Sequence, residues 1–230
     1  KVMYPVLGKP LLGHLLDRAQ QSELLDEIVV AIPEDAKDNL IATYCKSRSI
    51  RTYRGSQTDV LSRLVEALQM AQADIGVMLF GDGPLVDARI IDKALSIFLE
   101  AGEYDFVGND LITSWPPGME VEVFKMDALA DSAKRCKDLD VREHGTLFMR
   151  LHPELYTLFN VEAPFRCNRP DTFFEVDEKE DLLVIERLLE NFGECTDASL
   201  EELIDFVDRN PHLRESTVNV HRRWKKYRSS

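Results

Sequence analysis

The sequence lacks the features that mark several common classes of protein. No apolar run approaches the roughly 18–20 residues that a membrane-spanning helix needs, and no signal-peptide pattern opens the chain. The chain has four cysteines, and no two of them are closely spaced, so a zinc knuckle is not supported. Four cysteines in 230 residues are also too few for a disulfide scaffold. The glycine patterns of Rossmann and P-loop phosphate sites are missing too. We therefore expect a reduced, cytoplasmic protein without membrane insertion.

Basic charge is also scarce. The chain has 41 acidic and 28 basic residues, a net charge of −13. Five of the cations lie within residues 222–228, so the rest of the chain is more acidic still. Such a surface repels phosphate backbones, and we expect no nucleic-acid partner. A polyanionic ligand would have to enter through a local cationic or metal-filled pocket.

Short apolar runs alternate with amphipathic segments along most of the chain. This alternation predicts an α/β fold with three layers, a mostly parallel sheet flanked by helices, and an irregular inserted segment at about 110–165. We expect one domain over 1–210 and a basic tail over 211–230. The predicted strands cover 26–32, 50–53, 75–80 and 173–176, with an edge strand at 119–125. The predicted helices cover 9–21, 35–47, 178–190 and 198–209, with two more that begin after Thr58 or Asp59 and after Asp87.

Two acidic residues follow predicted strands directly. Asp82 lies in the turn Gly81-Asp82-Gly83-Pro84, and Asp177 follows the strand 173–176. Ligands of open α/β sheets bind beyond the carboxyl ends of the strands, and a carboxylate pair there suits Mg²⁺. Each residue also has a simpler interpretation, Asp82 as a turn former and Asp177 as a helix N-cap.

Several motifs in a fixed order resemble the SpsF-type cytidylyltransferase family, which is related to the synthetases of CMP-Kdo and CMP-sialic acid. The resemblance covers roughly residues 1–190. Its motifs are the segments 1–12, Tyr53-Arg54-Gly55-Ser56-Gln57-Thr58-Asp59, Gly81-Asp82-Gly83-Pro84, Arg142-Glu143-His144 and Val176-Asp177-Glu178-Lys179-Glu180-Asp181.

The resemblance implies a nucleotidyltransferase of the nucleotide-diphospho-sugar transferase type. Such an enzyme moves CMP from CTP to a sugar acid or related acceptor for surface polysaccharide, and releases pyrophosphate. It implies that Asp82 and Asp177 hold Mg²⁺ and that Lys1 contacts the triphosphate. It further places Gly55, Ser56 and Asp59 beside the nucleotide. On the acceptor side it places Glu120, Glu122, Arg142 and His144. The guanidinium of Arg142 suits an anion, whereas the two glutamates and the histidine are also typical of an ordinary polar surface.

Two departures from the family pattern leave alternatives open. The opening signature ends at Lys1, so we expect the first strand and phosphate loop to lie upstream of this sequence. Relatives carry a larger residue where this chain has Gly83. The alternatives are a transferase of the same fold that uses UTP, GTP or ATP on a sugar phosphate, and a non-catalytic binding subunit. By analogy with relatives we expect a homodimer that pairs through residues 105–165.

Overall fold

A computed structural model describes residues 1–193, 197–217 and 220. Cys195 and most of the predicted basic tail, from His221 onwards, lie outside this range. The strands are β1 (Pro5–Val6), β2 (Lys9–Pro10), β3 (Val29–Pro33), β4 (Arg51–Gly55), β5 (Ile75–Met78), β6 (Phe106–Gly108), β7 (Glu122–Lys125) and β8 (Leu158–Asn160). The helices are α1 (Leu11–Ala19), α2 (Asn39–Ser47), α3 (Val60–Ala71), α4 (Ala88–Ala101), α5 (Met126–Arg135), α6 (Leu139–Arg142), α7 (Leu147–Leu151), α8 (Lys179–Phe192), α9 (Leu200–Arg209) and α10 (Pro211–Thr217). Short 3₁₀ helices cover Ala36–Asp38 and Phe165–Cys167.

The strands form a hairpin and two larger groups. β1 and β2 pair antiparallel at the start of the chain, and β3 and β4 pair parallel. The other four strands form a sheet in the order β5-β7-β6-β8, in which β7 is antiparallel to both neighbours and β6 is parallel to β8. The predicted α/β class is confirmed, with a sheet of mixed strand directions.

Two strand predictions are wrong, for different reasons. Residues 119–125 were predicted as an edge strand because acidic residues alternate with apolar ones. However, β7 lies between two neighbours, and both its Glu122 and the preceding Glu120 are buried. The segment 173–176 forms no strand. Its backbone donates one hydrogen bond to each of two loops instead of joining a ladder.

The helix starts follow the capping residues that the sequence offers. Asp59 caps α3 by accepting a hydrogen bond from the Ser62 backbone N–H at 2.9 Å, and Asp87 caps α4 through the Arg89 N–H at 3.0 Å. A side-chain oxygen at the N-cap satisfies a helix N–H that has no intrahelical partner. The predicted cap at Asp87 is confirmed, and of the two candidates Thr58 and Asp59 the structure selects Asp59.

An apolar groove of about 850 Å³ separates β3 from β5. Side chains of α1, α3, β3 and β5 line it, and Gly81 lies at its wall. Among its polar lining residues are Glu122, His144 and Arg150. Of the four residues that the resemblance assigns to the acceptor, Glu122 and His144 line this groove, together with Gly81 of the turn after β5.

The segment 172–177 brings Asp177 close to Asp82, although only Asp82 follows a strand. Phe174 donates its backbone N–H to the Pro117 carbonyl at 2.7 Å, and Val176 donates to the Asp82 carbonyl at 2.8 Å. Phe174 and Val176 are themselves buried in the main hydrophobic core. The segment is thus fixed by apolar anchors on one side and by two loops on the other.

Glycine is required where these loops touch. A Cβ at Gly83 would lie 2.6 Å from the Gly118 carbonyl oxygen, far closer than real Cβ contacts. Gly118 has a φ of +99°, and a Cβ there would meet the Phe174 backbone at 2.4 Å. The departure from the family pattern at Gly83 therefore has a local cause, since the backbone of the loop 116–118 fills the space.

The C-terminal helices pack onto the same body. The buried Arg18 donates to the Val86 carbonyl at 2.7 Å and to the Ala198 carbonyl at 3.0 Å, and Asp87 accepts the Leu200 N–H at 2.8 Å. The first residues of the predicted tail form α10, and its Leu213 is buried in the main core. None of the described helices has both the length and the apolarity to cross a bilayer.

We predict that Gly83→Ala lowers the free energy of unfolding by about 1–3 kcal/mol, the usual cost of overpacking a filled site. Urea unfolding of the variant measures this. Gly81→Ala is the matched control, because the nearest contact of its Cβ is the Val2 Cγ1 at an ordinary 3.4 Å. Equal unfolding curves for both variants would contradict the close packing at Gly83.

Asp87 predicts an acid-dependent loss of stability. Burial alone would raise the pKa of this carboxyl, but hydrogen bonds from the Arg89 side chain and from the Leu200 and Arg89 backbone outweigh it and hold the pKa below its ordinary value. A lowered folded pKa adds stability above the unfolded pKa of about 3.9, and this contribution is lost as pH falls through the folded pKa.

We therefore expect Asp87→Asn to lower the free energy of unfolding at pH 7 by about 1.5–3 kcal/mol, the usual value for hydrogen bonds to a charged group. The difference in the free energy of unfolding between the parent protein and the variant should become smaller as the pH falls from about 5 to below 4. Urea midpoints at about pH 7, 4 and 3 test this, with the exposed Asp74→Asn as control. A gap that stays constant with pH would refute the assignment.

Candidate active site

The structure places Asp82, Asp177 and Lys1 at one point. The Lys1 Nζ lies 3.4 Å from the Asp82 Oδ2 and 3.2 Å from the Asp177 Oδ1. Both carboxylates are about one third exposed, with side-chain exposures of 35% and 28%, so a ligand can reach them from solvent. Two acids 95 residues apart in the chain thus converge on a single cation.

Asp82 does lie in a turn, which the Gly83 N–H closes on the Phe80 carbonyl at 3.1 Å, whereas the helix-cap interpretation of Asp177 is wrong. The N-cap of α8 is Glu178, so Asp177 does not cap the helix. Glu178 forms a capping box with Asp181. The buried Asp181 accepts the backbone N–H groups of Asp177 and Glu178 at 2.8 and 2.9 Å. Asp181, which the sequence analysis left without a role, therefore fixes the backbone from which the Asp177 side chain projects.

The carboxylate pair fits the ligand requirements of Mg²⁺. One ammonium group contacts both carboxylates, so both point at the same position. Among the described residues, no cluster of three or more His, Cys, Asp or Glu side chains has metal-binding geometry. Mg²⁺ is commonly held by one or two carboxylates, with substrate phosphates and waters as its other ligands. A two-carboxylate site is therefore sufficient when a phosphate ligand binds.

The loop that the resemblance assigns to the nucleotide is tightly ordered. Gly55 ends β4, and the Ser56 Oγ accepts the Asp59 N–H at 3.0 Å. The Arg63 guanidinium donates to the Ser56 carbonyl. The loop between β4 and α3 is therefore held by its own hydrogen bonds.

Arg142 contacts this loop. Its Nε and Nη2 both donate to the Asp59 Oδ2, at 2.9 and 2.8 Å. Burial tends to raise the pKa of Asp59, but the hydrogen bonds from Arg142 and Ser62 outweigh this and lower it. The structure thus gives Arg142 a protein partner on the expected nucleotide side, whereas the sequence analysis assigned it to the acceptor.

Glu120 and Glu122 have separate surroundings although they are two residues apart. The Glu120 Oε2 accepts the Gly118 N–H at 2.8 Å, next to the close contact of Gly118 with Gly83. Glu122 is completely buried in β7. Glu120 therefore supports the loop 116–118, and Glu122 faces a different cluster.

Glu122 lies in a buried ionic cluster that sequence reasoning missed. Its carboxylate accepts from the Thr146 Oγ1 at 2.5 Å and from the Arg150 Nη1 at 3.0 Å, and Arg150 also pairs with Asp110 at 3.0 Å. Two signals could have found this cluster. Thr146 and Arg150 are four residues apart, at helical spacing. Asp110 closely follows β6, so the strand-end rule that found Asp82 would also have found Asp110.

His144 is exposed and lies between Arg142 and the ionic cluster. It lines the groove together with Glu122 and Arg150. Of the predicted acceptor residues, the structure thus brings Glu122 and His144 to one groove and leaves Glu120 beside the loop 116–118.

Comparisons with known proteins agree with this arrangement. The family model described as cytidylyltransferase matches residues 1–215. The spore coat polysaccharide biosynthesis protein SpsF of Bacillus subtilis is 31% identical over 217 residues, which cover 92% of this chain and 88% of SpsF. A solved cytidylyltransferase from Leptospira borgpetersenii has a TM-score of 0.89 at 25% identity and covers 96% of this chain and 92% of its own.

A solved CMP:2-keto-3-deoxy-manno-octonic acid synthetase, complexed with CTP, has the same fold. Its TM-score is 0.63 at 14% identity, over 83% of this chain and 92% of its own. The family model and the SpsF alignment each span most of the sequence, including Asp82 and Asp177 and the segments around them. The chain belongs to the cytidylyltransferase family, and it is a cytidylyltransferase enzyme.

Proposed function

We propose that this enzyme transfers CMP from CTP to a sugar acid in an Mg²⁺-dependent reaction that releases pyrophosphate. The observation that carries the proposal is the convergence of Asp82 and Asp177 on one cation position in a chain of this family. SpsF is named for polysaccharide biosynthesis, and the synthetase with the same fold is named for a sugar acid. Both names support a sugar acid acceptor used for surface polysaccharide.

The reaction is a displacement at the α-phosphorus of CTP. An oxygen of the acceptor forms the new bond to phosphorus, the bond to the bridging oxygen of the β-phosphate breaks, and pyrophosphate leaves with that electron pair. Such a reaction depends mainly on positioning and on neutralising phosphate charge. Held by the carboxylate pair, Mg²⁺ would neutralise phosphate charge and act as a Lewis acid on the phosphate oxygens.

The residues of this chain then have distinct tasks. Asp82 and Asp177 would hold the ion, and the Lys1 ammonium would contribute positive charge beside the departing pyrophosphate. The loop with Gly55, Ser56 and Asp59 lies along the nucleotide. The exposed His144 faces the groove on the acceptor side, and Glu122 acts there through the buried cluster that it forms with Thr146 and Arg150. Glu120 acts there through the loop that it supports.

We predict Mg²⁺-dependent and CTP-selective binding. Calorimetric titration of the full-length protein with CTP, UTP, GTP and ATP, each with and without Mg²⁺, tests this. CTP should bind only when the metal is present, because the carboxylates repel the triphosphate without it. Tighter binding of UTP, GTP or ATP than of CTP would show that another nucleotide is the donor. No binding of any nucleotide would favour a non-catalytic subunit.

We predict that Asp82→Asn and Asp177→Asn each lower kcat by about 10²-fold or more, since a bound ion contributes several kcal/mol to transition-state stabilisation. Pyrophosphate release measures this. Thermal unfolding should change little, because both side chains are partly exposed and carry like charge. Asp74→Asn serves as control. Full activity in either variant would remove that residue from the metal site.

A further inference from the structure

Arg142 uses all of its hydrogen-bond donors within the protein. Its Nε and one Nη2 hydrogen donate to the Asp59 carboxylate, and the second Nη2 hydrogen donates to the Ser62 Oγ at 2.7 Å. Both Nη1 hydrogens go to the carbonyls of Ala133 and Cys136, at 2.7 and 2.8 Å. A guanidinium has five N–H donors, so none is left over. A direct contact with a substrate would have to break one of these bonds.

These five bonds join three parts of the chain. Asp59 and Ser62 belong to the start of α3, and Ala133 and Cys136 belong to the end of α5. Arg142 itself is the last residue of α6. The ion pair is largely shielded, with 13% of the Arg142 and 23% of the Asp59 side chain exposed. Separating the two partners of a shielded pair would leave each charge without compensation, which is energetically costly. The pair therefore favours one arrangement of α6 against the start of α3 and the end of α5.

The segment that follows Arg142 ends in the ionic cluster around Glu122. Thr146 and Arg150 both donate to that carboxylate, which is completely buried. Residues 142–150 are therefore fixed at one end to the loop beside the nucleotide and at the other to β7. His144, which lines the groove, lies between the two attachment points.

We propose that Arg142 is a positioning residue, which sets the acceptor-side segment 143–150 against the nucleotide-side loop 55–59 through its pair with Asp59. This rests on the proposed function. It differs from a role in direct binding, because the guanidinium touches only protein atoms. It also differs from a purely structural role, because it predicts that order imposed on the loop by the nucleotide is transmitted to the segment.

Hydrogen–deuterium exchange of the full-length protein with CTP and Mg²⁺ tests the proposal. In the parent protein, CTP should slow exchange both at residues 55–59 and at residues 143–150. In Arg142→Gln, the slowing at 55–59 should persist, while the slowing at 143–150 should fall by about five-fold or more, the lower end of ordinary coupling between sites. Arg135→Gln is the matched control, because Arg135 forms only a surface pair with Asp131 on α5.

Ser62→Ala provides a milder variant, since it removes one of the five acceptors and leaves the ion pair in place. In this variant CTP should slow exchange at 143–150 less than in the parent protein but more than in Arg142→Gln. The variant replaces Arg142→Gln as the test if Arg142→Gln does not fold. If Arg142→Gln folds and CTP still slows exchange at 143–150 as much as in the parent protein, the proposal is overturned and the proposed function stays intact. If Arg142→Gln does not fold, the same result in Ser62→Ala overturns it. Absence of any CTP effect on the parent protein would instead overturn the proposed function, and the proposal with it.

Discussion

The backbone hydrogen bond from Val176 to the Asp82 carbonyl holds together the two halves of the candidate active site. Asp82 follows a strand in the first third of the chain and Asp177 precedes a late helix, so nothing local brings them together. The segment from Phe174 to Val176 is held in the core by its apolar side chains. Its backbone N–H groups donate hydrogen bonds to the loop at Pro117 and to the turn at Asp82. Glycine at positions 83 and 118 lets these backbones approach closely enough for the bonds to form.

Charge explains why so acidic a chain suits a polyanionic substrate. A net charge of −13 opposes the approach of a triphosphate. The acidic groups that face the site are compensated at specific points, by Lys1 at the carboxylate pair, by Arg142 at Asp59 and by Arg150 at Glu122. These pairs limit repulsion inside the site, and a divalent ion at the carboxylate pair would make the local charge favourable for phosphate. The same pairs fix the loops, so compensation and positioning use the same residues.

The sequence predicted the elements whose signals are local. Asp87 was identified as a helix cap, and Asp59 as one of two candidates with Thr58, because a cap is defined by a few consecutive residues. The apolar run at 75–80 predicted β5 and thus the position of Asp82. The position of β7 was predicted wrongly, as an edge strand, because alternating acids are also typical of a strand with one face in solvent. The burial of Glu122 depends on its pairing with Arg150, which lies 28 residues further along the chain. β6 and β8 have three residues each, too few for a periodic pattern. Pairing of two chains through residues 105–165 stays a prediction, as do the acceptor roles of individual residues.

The most direct test of this account is the location of the metal in a crystal grown with CTP and Mn²⁺ in place of Mg²⁺. Anomalous scattering identifies the ion independently of any assumption about its ligands. We predict one anomalous peak at the carboxylate pair, within coordination distance of both Asp82 and Asp177 and of a phosphate oxygen. A peak bound to other side chains, or nucleotide bound at the pair without any metal, would contradict the assignment of Asp82 and Asp177 as the metal site.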